Sequence, residues 1–224
     1  MKHLVLGSAS PRRAFLLKAC GFDFEVKPSH AAEDFDPLLP PETIPGMLAL
    51  RKWMAGCETS VPSTCLITAD TIVLHKGKIL NKPSDEQEAV EMLSSLSGNT
   101  HTVITGVCMG MRGAVPIQMS VRSSVTFNEL DMESITGYVR TYKPMDKAGA
   151  YGAQECLPSG HDPCSPDEQA FIRRLGLGNI IERSKPSGWS SAPMTAIQKI
   201  EGSYFNVMGL PVADLYETLR KLIA

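Results

Sequence analysis

The 224-residue sequence has no Cys-x-x-Cys pair, no long run of Lys and Arg, no Gly-Lys-Ser/Thr of a Walker loop, and few aromatic residues, at 6%. No apolar stretch reaches the roughly eighteen residues of a membrane span. The six cysteines, at 20, 57, 65, 108, 156 and 164, are scattered as expected of buried thiols in a reducing cytoplasm. Cys156, His161 and Cys164 form the one local grouping, but their spacing fits no standard zinc pattern and no fourth ligand stands nearby. The apolar run Leu4-Val5-Leu6 stops at Gly7 and is followed by Arg12 and Arg13, too short for a secretory signal. A net charge of −2 and a pI near 6.2 exclude nucleic acid or an anionic membrane as the main partner. Any phosphate bound must therefore meet a few placed cations. What is present, 43% hydrophobic and 21% charged residues in 24.3 kDa, is an ordinary globular composition. A chain of this mass buries about 70% of its unfolded surface and needs no staple.

Hydrophobic periodicity alternates between strand and helix, which predicts an α/β fold with a mixed sheet. Leu4 to Leu6 reads as a buried strand, and Ser10-Pro11 as an N-cap and first turn of a helix that Gly21 stops. Phe22, Phe24 and Val26 alternate as a second strand, and Pro45 to Cys57 reads as a helix carrying Lys52. Leu66 to Leu74 is a β-rich run containing Asp70, and His75 to Lys78 is a hairpin turn. Ser84 with Gln87 predicts a capping box before an amphipathic helix ended by Gly98. Strands follow at Thr102 to Met109 and Ile117 to Phe127, then a helix near Asp131 to Tyr142. The tail repeats strand, turn and helix, from Tyr204 to Leu222. Residues 155–193 hold nine prolines and glycines in 39 positions, against 25 in the other 185, and read as a surface excursion.

Three clusters carry polar chemistry. Gly7-Ser8-Ala9-Ser10-Pro11-Arg12-Arg13 places small residues and two arginines at a helix N-terminus, a setting for an anion or for a plain capped surface helix. Asp70, at the end of the strand segment Leu66 to Ala69, is placed to hold a divalent cation or to accept a proton from water. The other reading is a carboxylate satisfied by turn amides. Asp146 to Gln154 has glycine-punctuated steps that allow close ligand approach, and Gln154 offers a donor and an acceptor to a base edge. Within it, Asp146-Lys147 reads as a surface ion pair. Glu33, in a polar stretch, is a further acid able to complete a metal site.

In order along the chain, Ser8-Ala9-Ser10-Pro11-Arg12-Arg13, Glu33, Lys52, Ala69-Asp70-Thr71, Asn81-Lys82-Pro83, Thr105-Gly106, Asp146-Lys147-Ala148-Gly149-Ala150-Tyr151 with Gln154, and Gly202-Ser203-Tyr204-Phe205-Asn206-Val207 with Gly209-Leu210-Pro211 resemble the Maf family of nucleoside triphosphate pyrophosphatases. The resemblance implies a fold similar to the inosine triphosphate pyrophosphatases: a long mixed central sheet flanked by helices, in two lobes with a central cleft. It implies one domain over residues 1–224, with an atypical segment within about 155–196 that is a neutral loop, a dimer contact or a lid. The implied activity is hydrolysis of an acid anhydride, cutting a nucleoside triphosphate into monophosphate and diphosphate with Mg²⁺, Mn²⁺ or Co²⁺. Asp70 would be the proton acceptor, Ser8, Arg13, Lys52 and Lys82 would hold the triphosphate, and Glu33 and Asp70 would lie near the metal. Arg12, Thr71 and Gln154 resemble the branch acting on dTTP and UTP, although an amide at 154 also suits CTP. The partner implied is the nucleotide, with no nucleic acid and no membrane, and a homodimer is compatible. A regulatory nucleotide-binding protein acting on septum formation is the second class that the resemblance leaves open.

Overall fold

A computed structural model describes residues 2–158, 160–184 and 194–224. Among these residues seven strands form one mixed sheet: β1 (His3–Leu6), β2 (Glu25–Val26), β3 (Thr64–His75), β4 (Lys78–Leu80), β5 (Thr100–Met111), β6 (Ile117–Phe127) and β7 (Ile197–Glu201). The order is β2-β1-β3-β5-β6-β7, with β1 parallel to β2 and β3 and the remaining pairs antiparallel. β4 folds back on β3 through Lys76 and Gly77, both at positive φ, as the hairpin turn expected there requires.

β3 is longer than the sequence run suggested, and Asp70 stands in its middle, opposite Gly106 of β5, not at its end. One edge of β3 is covered by β5 from Cys65 to Leu74. The other edge pairs with β1 only through Ile67 and with β4 only from Val73, so residues 68–72 have no strand on that side. This gap in the sheet is where the cleft forms.

The two faces of the sheet bury different elements. Leu4, Leu6, Ile67, Val107 and Phe127 face a large core shared with α1 (Pro11–Ala19), α3 (Glu86–Leu96), α4 (Met132–Tyr142), α5 (Pro166–Leu175) and α8 (Val212–Ile223). On the other face α2 (Ile44–Thr59) packs Ala49 and Trp53 against Val5, Leu66 and Cys108. α2 lies very close to the sheet at Gly106, where an added Cβ would stand 2.3 Å from Gly46 N and Pro45 C. No side chain other than hydrogen fits that contact, so the glycine sets how near Lys52 comes to β3.

Smaller differences from expectation have local causes. α3 is capped by Asp85, which accepts from Glu88 N–H, one residue after the Ser84 expected, because Ser84 itself bonds the Glu88 carboxylate. The second strand shortens to two residues because Phe22 still belongs to the end of α1, its N–H donating to Leu17 O after Gly21 at positive φ. The excursion is also not simply surface. It contains α5 and α6 (Ile180–Ser184), and Cys156, Leu157, Phe171, Ile172 and Ile180 lie in the main core. One of its prolines, Pro166, starts α5 at the first turn. Among the described residues no helix is long and apolar enough to cross a membrane.

Gly106→Ala is expected to cost about 3 kcal/mol or to prevent folding, since backbone must move. Gly46→Ala, one step away in α2 with nothing within 4 Å of its Cβ, is expected to be neutral or stabilising by about 0.5–1 kcal/mol. Urea unfolding of the two variants reads the contrast.

Candidate active site

The cleft has a volume of about 420 Å³ and draws its walls from residues 7–13, β3, the 146–153 segment and residues 207–209. Five cationic side chains, Arg12, Arg13, Lys52, Lys82 and Lys147, and three anionic ones, Glu33, Asp70 and Asp146, line it. The local balance is therefore positive in a chain whose net charge is −2. Such a cleft attracts a polyanion and can hold a cation beside it.

On the face without α2, Arg13 closes the gap in the sheet. Its Nη1 donates to the free carbonyl of Ala69 at 2.9 Å and to Ser8 Oγ at 2.9 Å. Its Nε donates to Gly209 O at 2.8 Å and its Nη2 to Thr71 Oγ1 at 3.0 Å. Burial pushes the Arg13 pKa down, opposed by the charges of Asp70 and Glu33, yet a guanidinium stays protonated at any ordinary pH. Gly209 adopts φ 103°, and a Cβ there would lie 3.4 Å from Thr71 Oγ1 and 3.5 Å from Arg13 Nε. A side chain would be both strained and crowded against the arginine.

On the α2 face, Lys52 is only 8% exposed and joins two carboxylates. Its Nζ is 2.5 Å from Asp70 Oδ1 and 2.7 Å from Glu33 Oε1. Among the described residues Asp70 Oδ2 has no hydrogen bond, leaving one oxygen for a ligand or water. The Lys52 hydrogen bond, against some desolvation, holds the Glu33 carboxyl below its usual range, with Lys82 at 3.5 Å adding to this. The chain thus brings together Ser8, Arg12, Arg13, Glu33, Lys52, Asp70, Thr71 and Lys82 at one cleft.

Gln154 is the exception. It is 6% exposed in a short 3₁₀ turn, is not among the lining residues, and its Oε1 has no partner among the described residues. No group of three or more His, Cys, Asp or Glu side chains among the described residues forms a metal-sized cluster, so Cys156, His161 and Cys164 do not make a ligand set.

Lys147 reverses an expectation. The ion pair expected at the surface is so only on its Asp146 side, which is 58% exposed: Lys147 is 7% exposed, 3.0 Å from Asp146 Oδ1 and 3.5 Å from the buried Glu155 Oε1. Tyr138 Oη donates to Glu155 Oε2 at 2.5 Å, and Arg12 reaches Asp146 Oδ2 at 3.3 Å. Although burial opposes it, the Lys147 hydrogen bond and the charges of Lys147 and Arg12 hold Asp146 below the usual carboxylate range. The only sequence signal for this network was Lys147 next to small residues; its partner Glu155 lies beyond two turns.

Removing Lys147 strands a buried carboxylate, so Lys147→Met is expected to cost about 3–5 kcal/mol at pH 7. Lys82→Met, at an exposed pair, is expected to cost less than about 1 kcal/mol. Equal, small losses in urea unfolding would contradict the difference.

The family model described as "Maf-like protein" matches residues 3–159. A protein of Phocaeicola vulgatus named dTTP/UTP pyrophosphatase is 41% identical over 220 residues, covering 98% of this chain and 95% of its own. Proteins of the same name from Porphyromonas gingivalis and Caldicellulosiruptor saccharolyticus are 41% and 36% identical, covering 97% and 99% of this chain and 92% and 96% of their own. Among solved structures, a nucleoside-triphosphatase / dITP/XTP pyrophosphatase from Mycobacterium abscessus is similar over 79% of this chain and 95% of its own, at 11% identity and a TM-score of 0.41, too distant to carry weight. On the family match and the near-complete relatives, this chain belongs to the Maf-like protein family.

Proposed function

We propose that this protein hydrolyses dTTP and UTP to the nucleoside monophosphate and diphosphate, clearing the cytoplasmic nucleotide pool. The observation that carries this reading is the single cleft in which Arg13, Lys52 and Lys82 stand around Asp70. The near-full-length relatives named dTTP/UTP pyrophosphatase support the choice of substrate.

A triphosphate brings about four negative charges, and arginine and lysine donors answer them with charge-assisted hydrogen bonds. Arg13, fixed by Ala69, Gly209, Thr71 and Ser8, offers a pre-set guanidinium that needs little reorganisation when the phosphates arrive. Lys52 and the more exposed Lys82 are free to exchange a carboxylate for a phosphate oxygen. Asp70, with one oxygen held by Lys52, orients water at the α-phosphate and accepts its proton as the bond to the β-phosphate breaks. The proton ends on Asp70 and the bonding electrons leave with the diphosphate.

Glu33 and Asp70 fit a divalent cation, because both carboxylates converge on the Lys52 ammonium and Mg²⁺ usually takes one or two protein carboxylates together with substrate phosphates. When bound, that ion supplies neutralisation of charge on the departing diphosphate. Arg12, Thr71 and Gln154 act in the choice of base. Thr71 and Arg12 do so through the contacts that shape the cleft, and Gln154 from behind its wall. A pocket distinguishes one methyl group by only about 1–3 kcal/mol, so one site accepts both dTTP and UTP.

With Mg²⁺ or Mn²⁺ and a panel of triphosphates, diphosphate is expected fastest from dTTP and UTP. Asp70→Asn should lower kcat about 10²–10⁴-fold with the fold intact. Binding without turnover, or release of inorganic phosphate alone, would contradict the reading.

A further inference from the structure

The segment around α5 is tied to the cleft by one buried carboxylate. Glu168, on α5, is 2% exposed and accepts four hydrogen bonds. Its Oε1 receives Ser203 Oγ at 2.6 Å and Phe205 N–H at 3.0 Å. Its Oε2 receives Tyr204 N–H at 2.9 Å and Ser165 N–H at 3.2 Å. Three of the four donors lie in residues 203–205, which open the short helix α7 (Tyr204–Val207). An ionised carboxylate is the one side chain with two oxygens that each accept twice and donate nothing.

From α7 the connection runs unbroken to the triphosphate wall. Asn206 O accepts Gly209 N–H at 2.9 Å, and Gly209 O in turn accepts Arg13 Nε at 2.8 Å. Asn206 O also accepts Thr105 Oγ1 at 3.1 Å, and Thr105 Oγ1 is 2.9 Å from Thr71 Oγ1. Each hydroxyl has one proton. If Thr105 gives its proton to Asn206, Thr71 gives its own to Thr105 and accepts from Arg13 Nη2. Val207, Met208 and Gly209 themselves line the cleft. Nothing in this chain of contacts involves the α2 face, where Asp70 and Lys52 meet.

We propose that Glu168 is a positioning residue for nucleotide binding: by capping residues 203–205 it holds the 207–209 wall and, through Gly209, the Arg13 guanidinium. This rests on the reading of the cleft as a nucleoside triphosphate site. α5 then acts as a clamp on the cleft from behind, and Phe171 and Ile172 in the core anchor it. Replacing Glu168 by Gln puts an NH₂ group against two N–H or O–H donors whichever way the amide turns, so the cap opens although size and shape are kept.

The test is titration calorimetry with a non-hydrolysable α,β-imido UTP and Mg²⁺, on wild type and Glu168→Gln, well below either melting temperature. Glu168→Gln should weaken Kd about tenfold at unchanged stoichiometry. A role confined to global stability would lower the stoichiometry of competent protein and leave Kd unmoved. Should Glu168→Gln fail to fold, Ser203→Ala removes the shortest contact to the carboxylate and should weaken Kd about threefold. A Kd equal to wild type in the folded variant overturns the proposal, and so does a wild type that binds no analogue. A wild type that binds the analogue but does not hydrolyse UTP overturns the pyrophosphatase reading alone.

Discussion

Five consecutive residues of the central strand β3, 68–72, have a neighbouring strand on one side only. A backbone carbonyl left bare inside a protein costs free energy comparable to a lost hydrogen bond. The Ala69 carbonyl faces this gap, and Arg13 satisfies it. That single bond places a guanidinium at the opening of the sheet, and the three other donations of Arg13 then fix its orientation. β1 must end at Leu6, and Gly7 must turn away, for the gap to exist at all. The structural solution to an unpaired sheet edge is thus also the wall proposed to meet the triphosphate.

The gap also explains why side chains from opposite faces of one sheet meet. Asp70 points toward α2 and Thr71 toward the main core, yet both line the cleft. Gly106 brings α2 close enough for Lys52 to reach Asp70. Cations therefore approach from both sides, Arg13 from one and Lys52 from the other, with carboxylates beside them. A polyphosphate and a divalent cation need that alternation of sign, and a nearly neutral chain can provide it only by concentrating charge locally.

Much of this was legible in the sequence where chemistry and spacing coincide locally. Asp70 stood out because a carboxylate inside an apolar strand run needs a reason, and Ser10-Pro11 announced the helix that carries Arg13. What was not legible depends on partners distant in the chain. Lys147 looked like half of a surface pair because its second partner, Glu155, becomes buried only when Tyr138 of α4 closes over it. Thr105 and Asn206, 101 residues apart, gained roles only through a hydrogen bond between β5 and α7. The excursion was misread as surface because proline and glycine density reports turns, whereas Phe171, Ile172 and Glu168 sit at helical spacing within it and are buried. Gln154 was legible as a residue and not as a position, since one 3₁₀ turn moves it behind the wall.

The central claim is that the gap in β3 is the triphosphate site. A crystal structure with α,β-imido UTP and Mg²⁺ tests it most directly. The triphosphate should lie across residues 68–72 of β3 within hydrogen-bond distance of Arg13, Lys52 and Lys82, with the α-phosphorus facing Asp70. A nucleotide bound elsewhere on the chain, or bound in the cleft with its phosphates pointing away from Arg13, would contradict it.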